Sequence, residues 1–181
     1  MIGYDKEGHT VYTKLGNGTE TRYTYDNERQ RLQEMTLTSG DNSLMHNRYT
    51  YDAVDNILGI SNAVDPQELF DSKSKLGGAS HHTYQYDNLN RLISASGKAK
   101  NASYTLSMSY NHMSMPVMKS QQVDSSLTAV SYDMAYQYGD QRHPTAPTQI
   151  GHEHYTYDAN GNPVLVENDS TSETREPYWG R

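Results

Sequence analysis

Tyr49-Thr50-Tyr51-Asp52-Ala53-Val54-Asp55-Asn56-Ile57-Leu58 is the stretch that decides the fold. Tyr-x-Tyr has period 2, so Tyr49 and Tyr51 share one face of a strand and Thr50 takes the other. Asp52 caps a tight turn by accepting hydrogen bonds from backbone N–H groups ahead of it. Asp55, three places on, is a residue type that tolerates positive φ, as a type I turn followed by a left-handed residue requires. Ile57-Leu58 begins the return strand. The unit is a β-hairpin.

The same tetrapeptide recurs as Tyr23-Thr24-Tyr25-Asp26, Tyr84-Gln85-Tyr86-Asp87 and Tyr155-Thr156-Tyr157-Asp158. Random order of this composition would give about 0.1 copies, so the chain is an internal repeat. Degenerate copies surround Tyr4-Asp5, Tyr110-Asn111 and Tyr136-Gln137-Tyr138. The residue at the third place after Asp is Gly8, Asp55, Asn90 or Gly161, with Arg29 and Ser114 as departures. Successive units are 19 to 35 residues apart, which fits two strands plus two connections. About six to seven hairpin units occupy residues 1–181 as one repeat segment, with surface insertions expected near 62–80 and 139–149. A short helix is expected over Pro66–Leu76, and Tyr178-Trp179 reads as the opening of a further copy.

Leu, Ile, Val and Phe number only 26 of 181 residues, against 16 Tyr. The core must therefore be built from Tyr, whose rings each cover roughly 150–250 Å² when buried. A net charge of −7 gives no basic stripe, which argues against a nucleic-acid partner. No apolar run approaches the roughly 18 residues of a spanning helix. The first residues carry no signal-peptide pattern. There is no Cys, hence no disulfide framework and no thiolate metal site.

Repeated in phase, Tyr-x-Tyr-Asp-x-x-Gly/Asn-Asn/Arg-x-Leu at 49–58, 84–93 and 155–164 resembles the Rhs or YD-repeat proteins. The resemblance covers nearly the whole chain. It implies an all-β fold in which antiparallel hairpins wind into a spiral, curved sheet forming a partial segment of a hollow shell. It also implies a structural, non-enzymatic role: enclosing and shielding a C-terminal toxin or effector polypeptide, with the remainder of the shell as partner. The implied setting is secreted or cell-surface, as part of a larger bacterial protein. Shell-forming members are far longer, so a piece of wall is the expected object.

The residues expected to carry the repeat structurally are Tyr23, Tyr25, Asp26, Tyr49, Tyr51, Asp52, Tyr84, Tyr86, Asp87, Tyr155, Tyr157, Asp158 and Gly161. The Asp residues could be mistaken for catalytic carboxylates. Acid–base work needs two unlike environments close together, whereas identical positions in successive repeats imply identical structural jobs. No catalytic residue and no cofactor is expected. His152 and His154 share a face and could share a metal ion if a third ligand approached. The sequence identifies none, so they are read as structural, with a metal-dependent enzyme as the remote alternative. The other alternative is a cell-surface carbohydrate- or protein-binding module using the Tyr-lined face.

Overall fold

At Asp52 the chain reverses within five residues. The Asp52 N–H donates to the Asn56 carbonyl at 3.0 Å, and the Asp52 side-chain oxygen accepts from the Val54 and Asn56 N–H groups at 2.9 Å each. Asp55 takes φ 72°. The turn recurs with left-handed residues at Gly8 (φ 91°), Asn90 (φ 59°), Ser114 (φ 63°) and Gly161 (φ 84°). Ser114, a departure by residue type, thus adopts the repeat's conformation. Arg29 does not: the left-handed residue of that turn is Gln30 (φ 58°), and the Asp26 N–H reaches to Arg31. One extra residue lies in this turn, so the ungapped alignment over 25–32 is out by one from Arg29 onward.

The computed structural model describes residues 1–65, 78–99, 102–125 and 131–177. The helix expected over Pro66–Leu76 and the copy expected at Tyr178-Trp179 lie outside them. Among the described residues fifteen strands run β1 (Ile2–Tyr4), β2 (Thr10–Lys14), β3 (Thr19–Tyr25), β4 (Leu32–Ser39), β5 (Asn42–Tyr51), β6 (Ile57–Asn62), β7 (Ser80–Tyr86) and β8 (Leu92–Ala99). They continue as β9 (Ala102–Tyr110), β10 (Pro116–Ser125), β11 (Tyr132–Gln137), β12 (Gln149–Ile150), β13 (Glu153–Tyr157), β14 (Pro163–Asn168) and β15 (Thr174–Arg175). The expected all-β class and antiparallel hairpin pattern are both observed.

The chain divides into two compact units: Met1–Thr105 with Asp124–Thr128, and Leu106–Val123 with Ala129–Arg181. In the first, β1 to β8 form an antiparallel meander. In the second, β10 to β15 do the same. The register shifts at the second Tyr of the repeat, at Tyr25, Tyr51, Tyr86 and Tyr157, and at Tyr4 in the degenerate first copy. A bulge at that place adds local right-handed twist just before the turn.

Burial follows the period of 2. Tyr23, Tyr25, Tyr49, Tyr51, Tyr84, Tyr86, Tyr155 and Tyr157 are half-buried, while Thr24, Thr50, Gln85 and Thr156 between them are exposed. Among the described residues only Ala95 (3% exposed) and Val166 (6%) are fully buried apolar side chains. Two strand glycines are also closed in. A Cβ on Gly97 would sit 2.3 Å from the Tyr104 ring and 2.5 Å from His82 Nδ1. Glycine there lets the cross-strand aromatic lie over bare backbone, with the Tyr104 hydroxyl 3.1 Å from His82 Nδ1.

Candidate functional site

The chemically distinctive places are the junctions between successive repeats. The second Tyr of a repeat donates its hydroxyl to a backbone carbonyl at the start of the preceding repeat's return strand. Tyr25 reaches Thr10 at 3.0 Å, Tyr51 reaches Leu32 at 2.7 Å, and Tyr86 reaches Ile57 at 3.0 Å. In the second unit Tyr138 reaches Pro116 at the start of β10 at 2.8 Å, and Tyr157 reaches Pro147, in the loop before β12, at 2.7 Å. Burial raises the phenol pKa at Tyr25, Tyr51, Tyr86, Tyr138 and Tyr157, so each is held as a neutral donor. Each of these hydroxyls thus spends its single proton inside the sheet.

A second link runs from the turn Asp to the next repeat. His9 Nδ1 lies 2.9 Å from Asp5, and its ring stacks on Tyr25 at 4.8 Å. Arg31 Nε donates to Asp26 at 2.8 Å, and its guanidinium lies 5.0 Å from the centre of the Tyr51 ring. His143 Nδ1 lies 3.0 Å from Asp140, and its ring is 6.1 Å from that of Tyr157. These three junctions thus use a carboxylate to aim a planar nitrogen-bearing side chain at the following Tyr. Turns also meet directly. Arg29 and Arg31 both donate to Asp55, at 3.0 and 3.1 Å, and the Asn56 amide donates to Asn90 at 2.9 Å.

The turn carboxylates are held well below the ordinary range. Asp26 falls to about 2, first through Arg31 and then the Arg29 N–H, with burial opposing. The carboxyl of Asp52 is lowered chiefly by the Asn56 side chain, that of Asp87 by Arg91 and that of Asp158 by Asn162. All of these Asp side chains accept bonds from turn N–H groups. Gly161 supplies the left-handed residue beside His143, whose Cδ2 would lie 3.4 Å from an added Cβ. Asn111 stands where other repeats have Asp, and its amide oxygen accepts from Met113 and Met115 at 2.9 and 3.1 Å. Turn capping therefore needs the oxygen, not the charge.

His152 and His154 are brought together by Asp169, which the sequence reading did not connect to them. His152 Nδ1 is 2.7 Å from one carboxylate oxygen and His154 Nε2 is 2.9 Å from the other. Asp169 lies across the β13–β14 hairpin, 15 residues from His154. Antiparallel pairing over Tyr155–Val166, extended past the strand ends, is the signal that would have found it. Among the described residues no group of three or more His, Cys, Asp or Glu side chains is placed so that it could hold a metal ion. The Tyr hydroxyl acceptors were not foreseen either, since their partners lie 10 to 29 residues away.

Over 104 residues, 54% of its length, the chain is 32% identical to toxin subunit YenC2 of Yersinia entomophaga. It is 33% identical to toxin subunit YenC1 of the same organism over 103 residues. It spans about 10% of the length of these curated relatives. Its fold matches part of the TcdB2–TccC3–Cdc42 crystal structure with TM-score 0.67, at 19% identity, covering 92% of this chain and 10% of that one. The Photorhabdus luminescens Tc holotoxin pore gives TM-score 0.65 at 19% identity, over 96% of this chain and 10% of that one. No family model matches the sequence. Phased Tyr-x-Tyr-Asp hairpins in an antiparallel meander resemble those of YD-repeat proteins. Over about half of its length the chain is similar to Yersinia toxin subunits, and its fold is that of part of the toxin structures above.

Proposed function

We propose that this chain is a non-enzymatic wall segment of an Rhs/YD-repeat shell that encloses and shields an attached C-terminal toxin or effector. Its partners are then the rest of that shell and the enclosed polypeptide, and its setting is a secreted or cell-surface bacterial protein. Residues 1–181 act as one repeat segment within a longer chain. Tyr23, Tyr49, Tyr84 and Tyr155 supply ring area, Tyr25, Tyr51, Tyr86 and Tyr157 tie repeat to repeat, and Asp26, Asp52, Asp87 and Asp158 with Gly161 shape the reversals. The observation that carries the reading is the junction itself: ladder bonds, Tyr hydroxyl and turn-to-turn contacts all join one repeat to the next. A unit that binds its successor in this way extends by stacking, which suits a wall. The likeness to toxin subunits agrees with it.

The test is electron cryomicroscopy of the longer chain that contains this segment. The expected result is a hollow particle with these hairpins in its wall and protein density inside. A solid particle, or these repeats lining a solvent-open reaction cleft, overturns the proposal.

A further inference from the structure

Asn-Gly occurs twice in the chain, as Asn17-Gly18 and Asn160-Gly161, and both pairs lie in hairpin turns. In such a pair the Gly nitrogen is covalently placed to attack the Asn side-chain carbonyl carbon and close a succinimide ring, and the lack of a Cβ on Gly leaves the approach open. The two turns surround the pair differently. Asn17 lies at the exposed tip between β2 and β3. Its Oδ1 accepts two bonds, from the Thr19 N–H at 3.1 Å and from the Thr19 hydroxyl at 2.8 Å. Both donors polarise the carbonyl and face the oxygen on which charge would develop during attack. A Cβ on Gly18 (φ 85°) would meet nothing within 4 Å, and Leu15, Gly16, Asn17 and Gly18 carry no side-chain charge.

At the turn between β13 and β14 the Asp158 carboxylate accepts from the Asn160 and Asn162 N–H groups at 2.8 and 2.9 Å. A fixed negative charge inside the turn opposes loss of the Gly161 amide proton. His143 closes one side, with its Cδ2 3.4 Å from the place a Cβ on Gly161 would take. One restraint is common to both turns: the Gly18 N–H donates to the Leu15 carbonyl and the Gly161 N–H to the Asp158 carbonyl, each at 3.1 Å.

We propose that Asn17 is a spontaneous modification site, which deamidates through its own turn while Asn160 is held back. Hydroxide removes the Gly18 amide proton, and the nitrogen bonds to Asn17 Cγ. The negative charge passes to Oδ1, where the Thr19 N–H and hydroxyl hold it. The Cγ–Nδ2 bond then breaks, and the nitrogen leaves as ammonia with a proton from water, which regenerates the hydroxide. Water opens the succinimide at either carbonyl, giving aspartate or isoaspartate at position 17. Aspartate keeps an oxygen for the Thr19 N–H. Isoaspartate adds an atom to the main chain of the turn and displaces the bond from the Leu15 N–H to the Thr19 carbonyl. The inference does not depend on the shell reading, since it concerns one hairpin.

The test is incubation of the 181-residue chain at neutral and mildly alkaline pH, with conversion at each Asn followed by peptide mapping and tandem mass spectrometry. The expected result in the folded chain is conversion at Asn17 about tenfold or more faster than at Asn160, the rate equivalent of one good hydrogen bond. The rate at Asn17 rises with pH, and in concentrated urea the two sites convert at similar rates. Thr19→Val removes the hydroxyl donor, keeps the N–H donor and slows Asn17 by about 2–10-fold, with Asn160 unchanged. Equal rates at the two sites in the folded chain, faster conversion at Asn160, or an unchanged Asn17 rate in folded Thr19→Val overturns the proposal. The unaltered chain, folded against urea-unfolded, decides by itself if the variant does not fold.

Discussion

Replacing Tyr51 by Phe removes one atom and tests the junction directly. The ring stays, so its burial and the Arg31 guanidinium at 5.0 Å are kept. What is lost is the 2.7 Å bond from the hydroxyl to the Leu32 carbonyl. A net intramolecular hydrogen bond contributes about 0.5–1.5 kcal/mol. Tyr25→Phe and Tyr86→Phe remove equivalent bonds in the same unit, at 3.0 Å each. Successive second Tyr residues lie two strands apart, roughly 9–10 Å, near the distance at which mutational effects add. The triple variant should therefore lose about 1.5–4.5 kcal/mol, a large share of a typical stability of about 5–15 kcal/mol. Urea unfolding followed by far-UV circular dichroism reads this as a lower midpoint at unchanged slope. Tyr49→Phe is the matched control: its hydroxyl accepts only a long 3.4 Å contact from Asn47 on its own strand, and its cost should be about 0.5 kcal/mol or less. If Tyr49→Phe costs as much as Tyr51→Phe, or the triple variant unfolds at the unaltered midpoint, the hydroxyl link is not what couples the repeats.

Gly97→Ala should destabilise by about 1–3 kcal/mol, because the new methyl displaces the Tyr104 ring, and the same urea assay measures it. In Asp52→Asn the cap oxygen survives, whereas in Asp52→Ala the Val54 and Asn56 N–H groups lose their acceptor. The Asn variant keeps the backbone cap but turns an amide –NH2 against the Asn56 amide that donates to Asp52 at 2.8 Å, so it should unfold below the unaltered midpoint, and the Ala variant lower still. The turn carboxylates are lowered in the fold, Asp26 from 3.8 to about 2, so the stability they contribute is present above about pH 4 and lost between there and pH 2. An acid titration by circular dichroism should show this loss, with a smaller one in Asp26→Asn. Tyr155 is pushed up from 10.0 to about 12, by burial first and then by its bond to Glu153. Its stabilising effect is present below pH 10 and lost as pH rises towards 12, and Tyr155→Phe should flatten that alkaline limb.

Local chemistry wrote the hairpins into the sequence. Alternation of Tyr with Thr or Gln set which face is half-buried, and Asp followed by a φ-tolerant residue set where the chain reverses. These signals lie within ten residues of one another, so no knowledge of neighbours was needed. The one-residue error after Arg29 arose because Arg and Gln give no residue-type signal for a left-handed conformation; Gln30 adopts it only because the turn must close on Arg31. Residue type also left the Tyr hydroxyls without acceptors. A phenol's acceptor is a carbonyl of the previous repeat, and backbone carbonyls are invisible to composition.

The chain's own order of residues thus determined the strand periodicity, the turn positions and the serial pairing of neighbours, because each depends on separations of a few residues along the backbone. The folded arrangement alone decided which carbonyl each Tyr meets, that His9, Arg31 and His143 lie against the following ring, and that Asp169 joins His152 to His154. Those contacts depend on register and on the bulge at the second Tyr, which are fixed only when adjacent strands compete for the same hydrogen bonds.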